Sequence, residues 1–84
     1  VQAAQGRAVH RAWDPGPGFV KEERLPSGKR PDAVNYQTRV VKELKPNNPS
    51  AMRRGERQVE GYRKELEQVT GEKWTGVVET YSPR

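Results

Sequence analysis

Three side chains carry the chemistry open to this sequence: Asp32, Glu43 and Lys45. Two carboxylates and an ammonium suit work on a phosphate ester. The acids can share a divalent cation, while the lysine holds a water and offsets charge developing on the phosphate. Oxygen donors without sulfur or imidazole suit Mg²⁺ or Mn²⁺. Glu43-Leu44-Lys45 reads as the end of a strand, so Glu43 and Lys45 point to one face, roughly 7 Å apart. If Gln37 and Thr38 form the tip of the preceding connection, paired positions sum to 75 and Asp32 falls opposite Glu43. Opposed carboxylates repel when both are ionised, and a cation between them removes that penalty. Taken alone, an acid-x-Lys triplet is expected about once by chance in so charged a chain. The same residues also read as a solvated strand face with an ordinary Lys–Glu pair.

The elements that must position them follow from punctuation and period. Residues 1–18 read as an N-terminal arm or short helix closed by the loop Asp14-Pro15-Gly16-Pro17-Gly18, which no helix or central strand tolerates. Residues 19–84 read as the core. Phe19–Leu25 is a first strand before the turn Pro26-Ser27-Gly28. Arg30–Tyr36 and Thr38–Lys45 are a second and a third, joined without the Asn-Gly chemistry of a tight hairpin. Asn48 as N-cap, with Pro49 at the first helical position and Ser50 as the rival cap, opens a helix. Met52, Gly55, Val59, Tyr62, Leu66 and Val69 recur at steps of three and four along its apolar face, and Gly71 ends it. Trp74–Tyr81 is a last strand, with Val77 and Val78 in succession suggesting burial on both faces. The final strand–helix–strand step has the length of a right-handed crossover.

In this order of elements the chain resembles the PD-(D/E)XK nuclease superfamily, the restriction-endonuclease-like fold. Pro31-Asp32 and Glu43-Leu44-Lys45 match its central motif, and Gln58 with Tyr62 fits a Gln-x-x-x-Tyr motif on the helix that follows. The resemblance covers roughly residues 19–81 and implies an α/β fold: a three-stranded antiparallel meander, then a helix and a crossover strand. It implies that Asp32 and Glu43 bind Mg²⁺ (or Mn²⁺), with the Leu44 carbonyl in the inner shell. Lys45 positions the attacking water and stabilises the transition state, and Gln58 supports the site or touches the nucleic acid. The small size resembles the C-terminal nuclease domains of bacterial polymorphic toxins. That implies a DNase effector, secreted or delivered into the cytoplasm of a target cell and blocked by a cognate immunity protein. One departure stands out: many members carry a further acid on the helix before the meander, and Val1 to Trp13 contains none. Either that helix is missing, or Glu22 or Glu23 substitutes, or the site works without it.

The other notable residues have two readings each. Arg53, Arg54 and Arg57 crowd an already electropositive helix start, as a phosphate-binding patch or as a solvated face beside Glu56 and Glu60. Gln58 is a site residue or a plain polar helix residue. Tyr62 is expected in the core, and Trp13 and Trp74 as packing residues rather than base-stacking ones. His10 has no visible partner and is expected in solvent or on a phosphate. Gly55 suggests close approach of helix and sheet; Gly61 has no account.

Composition bounds the rest. Of 84 residues 31% are hydrophobic, so one small domain with a marginal core is expected, and its exposed sheet edge invites a partner chain. The absence of cysteine excludes disulfides and thiolate metal sites, and a single histidine excludes a histidine-rich zinc centre. No apolar run reaches the roughly 18 residues of a membrane span. The net charge of +5 favours acidic partners or nucleic acid. A start at Val1 suggests a piece of a longer protein. Beside the nuclease stand two competitors: a non-catalytic nucleic-acid-binding module, which needs the cations but not the acids, and a protein-interaction module with no nucleic-acid affinity at moderate salt.

Overall fold

The computed structural model describes residues 2–82, with side chains from Gly6 onward. Helix α1 (Gln2–Ala12) comes first, then strands β1 (Val20–Lys21), β2 (Ala33–Asn35) and β3 (Val40–Pro46), helix α2 (Pro49–Thr70) and strand β4 (Thr75–Tyr81). The four strands form one mixed sheet in the order β1-β2-β3-β4, with β1, β2 and β3 antiparallel and β4 parallel to β3. This is the expected meander, helix and crossover strand.

The expected register holds. Ala33 pairs with Lys42, Val34 with Val41 and Asn35 with Val40, every pair summing to 75. Asn35 supplies the turn chemistry that the dipeptide Gln37-Thr38 lacks. Its side-chain oxygen accepts from the Gln37 and Thr38 amides at 2.9 and 3.0 Å, an Asx turn, and Arg39 closes the turn at φ 59°.

Strands β3 and β4 begin slightly later than expected, at Val40 and Thr75, and the other two are much shorter. The first stops at Lys21 because Glu22 adopts φ 54°, a left-handed conformation that strands exclude. The second covers three residues rather than Arg30–Tyr36. The N-terminal segment is a helix rather than an irregular arm. Lys21 caps its C-terminal end, with Nζ 2.6 Å from the His10 carbonyl and 2.8 Å from that of Trp13; a cation among the last carbonyls suits the helix dipole.

Helix α2 begins and ends as its sequence predicts. The Asn48 side chain accepts from the Ala51 amide at 2.8 Å, and Gly71 takes φ 72° while its amide returns to the Glu67 carbonyl. Ala51, Gly55, Val59, Tyr62 and Leu66 are buried against the sheet. Met52 is only half-buried, and Val69, at 56% exposure, lies beyond the sheet's reach. Leu25, Val34, Val41, Tyr62, Leu66 and Trp74 make the core. Both tryptophans pack. Trp74 meets Tyr36 edge-on at 5.6 Å, and Trp13 donates from its indole N–H to Glu79 at 3.0 Å. Val77 and Val78 are half-buried, not enclosed, because β4 is an edge strand covered chiefly on its α2 face.

The two faces of the sheet carry different work. Val41, Glu43 and Lys45 alternate onto the α2 side. Lys42 turns the other way, toward the Pro15 carbonyl, the Glu79 carboxylate and the Phe19 ring. Thus α2 and the N-terminal segment clamp β3 from opposite faces.

Candidate active site

Strand β3 outlasts its partner β2, and the site forms at that step. Past Ala33 the backbone ladder stops, and the side chain of Asp32 takes its place. Asp32 Oδ2 accepts from the Leu44 amide at 2.7 Å. The Asp32 amide in turn donates to Glu43 Oε1 at 3.3 Å. Asp32 and Glu43 are thereby locked side by side. In a strand the N–H and C=O of one residue face the same neighbour, so the Leu44 carbonyl also lies on the Asp32 side.

Lys45 completes the group, its Nζ 3.6 Å from Glu43 Oε2. Gly55 makes room for it. A Cβ there would stand 2.9 Å from Lys45 Cγ and 3.2 Å from a Val78 methyl, so the lysine stem runs over bare helix backbone. The close approach expected at Gly55 is made to this lysine as well as to the sheet.

Glu43 is 6% exposed. Burial, reinforced by the charge of Asp32, pushes its carboxyl up to about 7, against the pull of Lys45. Burial and then the same two carboxylates push the Tyr62 hydroxyl up to about 12. Tyr62 is in the core, as expected, and also within the field of the acids. Such crowding of buried negative charge is relieved by a cation. The donor set is two carboxylates and a carbonyl, which suits Mg²⁺ or Mn²⁺, ions that keep several of their waters. Among the described residues no three His, Cys, Asp or Glu side chains form a ready group for an ion.

Gln58 is exposed and stands one turn before Tyr62, on the same side of α2. With Lys29, Arg54, Arg57, Gly61 and Tyr62 it lines an open cavity of about 500 Å³. That lining holds three cations and no acid. Arg53 does not line it, although it stands one turn before Arg57 on a neighbouring strip of the helix surface.

Two members of this region escaped the sequence reading. Lys29 follows the β1–β2 turn and joins the arginines only through the fold. His10, expected without a partner, has two: its Nδ1 lies 2.8 Å from the Gly6 carbonyl and its Nε2 3.1 Å from Asp32 Oδ2. The helix before the meander is present, and it brings an imidazole to the aspartate instead of an acid. Glu22 stands at the cavity lined by His10, while Glu23 points elsewhere. Glu22 faces Arg30 at 3.9 Å and Glu23 accepts from the Tyr36 hydroxyl. The signal for His10 was its uniqueness alone; nothing in its spacing points 22 residues ahead.

No helix of the described residues is long and apolar enough to cross a membrane. The family model described as restriction endonuclease fold toxin 9 matches residues 1–81. No curated protein and no solved structure matches the chain. The family points to a nuclease toxin acting on nucleic acid, and restriction-endonuclease-like nucleases typically use divalent metals. The match takes in α1 together with the sheet and α2, the elements that meet at Asp32. The chain belongs to the restriction endonuclease fold toxin 9 family.

Proposed function

We propose that the chain is a metal-dependent nuclease that hydrolyses phosphodiester bonds in DNA, acting as the antibacterial effector domain of a larger delivered protein. The observation that carries this reading is the convergence of Asp32, Glu43 and Lys45 at the end of β3. Asp32, Glu43 and the Leu44 carbonyl hold Mg²⁺ (or Mn²⁺). When bound, the ion supplies a Lewis acid for the phosphoryl oxygen and a more acidic water. Lys45 orients the attacking water and offsets charge developing on the phosphate. Gln58 supports the site from α2. Arg54, Arg57 and Lys29 take phosphates along the strand, with Arg53, one turn before Arg57, at the rim of the patch.

The test is incubation of the purified domain with supercoiled plasmid in Mg²⁺ and in EDTA, with Glu43→Ala alongside. Nicking that needs the metal and disappears in the variant is expected. An intact plasmid with a cleaved RNA would transfer the substrate to RNA, and cleavage by Glu43→Ala at the wild-type rate would sink the assignment. The acid-free cavity favours one competing reading, a binding module without catalysis. That reading requires nucleic-acid binding that persists in EDTA, with neither DNA nor RNA cut. The cognate immunity protein must cover this cationic cleft, so its contact surface is acidic or inserts into the cavity.

A further inference from the structure

His10 is the one polar group at Asp32 that the nuclease reading leaves without a task. Its Nδ1 lies 2.8 Å from the Gly6 carbonyl. A carbonyl only accepts, so Nδ1 carries the hydrogen of that bond. In the neutral ring the lone pair then sits on Nε2, 3.1 Å from a carboxylate oxygen that is itself an acceptor. Two facing acceptors require a positive charge between or beside them, either a proton or a metal ion.

Three observations fit the metal. A histidine whose outer N–H is held by a backbone carbonyl is oriented as metal-binding histidines usually are. Two ligands at right angles on an octahedral ion with bonds of about 2.1 Å stand about 3 Å apart, close to the separation seen here. The ring is also accessible: a third of the His10 side chain is exposed, and it lines an open cavity of about 470 Å³ with Gly6, Arg7, Arg11 and Glu22.

We propose that His10 Nε2 is a nitrogen ligand of the divalent ion held by Asp32, which gives the site a preference for Mn²⁺ over Mg²⁺. Imidazole favours transition ions, whereas carboxylates and carbonyls alone accept Mg²⁺ as readily. The inference rests on the metal-dependent reading of the site. His10 and Asp32 are the preformed pair, and Glu43, the Leu44 carbonyl and water join once the ion is in place.

The test is electron spin-echo spectroscopy of the domain loaded with Mn²⁺. His10 is the only histidine, so an imidazole ¹⁴N coupling has a single source. That coupling is expected in the wild type and lost in His10→Ala. Calorimetry should show Mn²⁺ affinity falling about tenfold in the variant, while Mg²⁺ affinity moves little. A wild-type spectrum with bound Mn²⁺ and no imidazole coupling overturns the proposal and leaves His10–Asp32 as an ion pair. That result needs no variant, so a poorly folded His10→Ala cannot hide it. Nitrogen-coupled Mn²⁺ in a domain that cuts neither DNA nor RNA upholds the ligand and overturns the nuclease. Metal-dependent cleavage without the coupling does the reverse, and failure to bind Mn²⁺ at all overturns both.

Discussion

Glu43 is where stability and function pull apart. Burial and the neighbouring Asp32 hold its carboxyl near 7, above the 4.5 of an exposed glutamate. In that window the folded state binds the proton more tightly than the unfolded one. The contribution to stability is therefore fully present below pH 4.5 and is lost as the pH climbs through about 7. At 1.36 kcal/mol per unit, the metal-free domain should lose about 2 to 3 kcal/mol between pH 4.5 and pH 8 through this residue. Thermal melts of wild type and Glu43→Gln in EDTA isolate the effect. The variant should melt higher than wild type at pH 8 and alike at pH 4.5, and it should not cleave. Equal melting points at pH 8 would mean that Glu43 is solvated after all. Lys45→Ala removes a cation from this same cluster. It should abolish cleavage with the melting point moved by only a few degrees, read in parallel plasmid and melting assays.

At the scale of elements, α2 both supports the sheet and shapes the site, and its two interior glycines separate these tasks. An alanine within a helix is about 1 kcal/mol better than glycine. At Gly61 the new Cβ meets only the Lys29 ammonium at 3.7 Å, so Gly61→Ala should raise stability by up to about 1 kcal/mol in urea titrations. At Gly55 the Cβ would press on the Lys45 stem at 2.9 Å and on Val78 at 3.2 Å. Gly55→Ala should forfeit that gain and lower the cleavage rate at least tenfold by displacing the lysine. Leu66, almost wholly buried, anchors the far half of the helix. Its replacement by alanine should cost about 2 to 5 kcal/mol, enough to unfold so small a domain. Much of α2 was legible because capping and a 3.6-residue period are local. Val69 was not: it keeps the period, but the sheet has ended beneath it.

For the molecule as a whole, charge is organised by the fold more than by the chain. The net charge of +5 is spread along the sequence, yet Lys29, Arg54 and Arg57 meet in one acid-free cavity. Nucleic-acid binding should fall steeply with salt. Replacing both Arg54 and Arg57 by glutamate should reduce the slope of log affinity against log salt by roughly two contacts' worth, about 0.9 each on duplex DNA. Arg53→Glu should change it less, because Arg53 stands outside the cavity lining. Fluorescence anisotropy over a salt series distinguishes the two, and an equal loss from Arg53→Glu would place the nucleic acid on a different surface. The grouping of Arg54 with Arg57 was already legible from helix spacing. The recruitment of Lys29 was not, since it stands 25 residues before Arg54 in sequence.

What the sequence determined by itself is what neighbours along the chain can encode. The β2–β3 register follows from the number of residues in one turn, and the ends of α2 follow from Asn48, Pro49 and Gly71. The facing of Glu43 and Lys45 follows from strand alternation, and with the register it put Asp32 opposite Glu43. What only the tertiary structure decided depends on contacts between distant residues, which leave no period or spacing to read. His10 reaches Asp32 across 22 positions. The Asp32 side chain replaces a missing strand partner at the Leu44 amide. Glu43 is raised toward neutrality by a burial that its own strand, with one face under α2 and the other under the N-terminal segment, cannot announce.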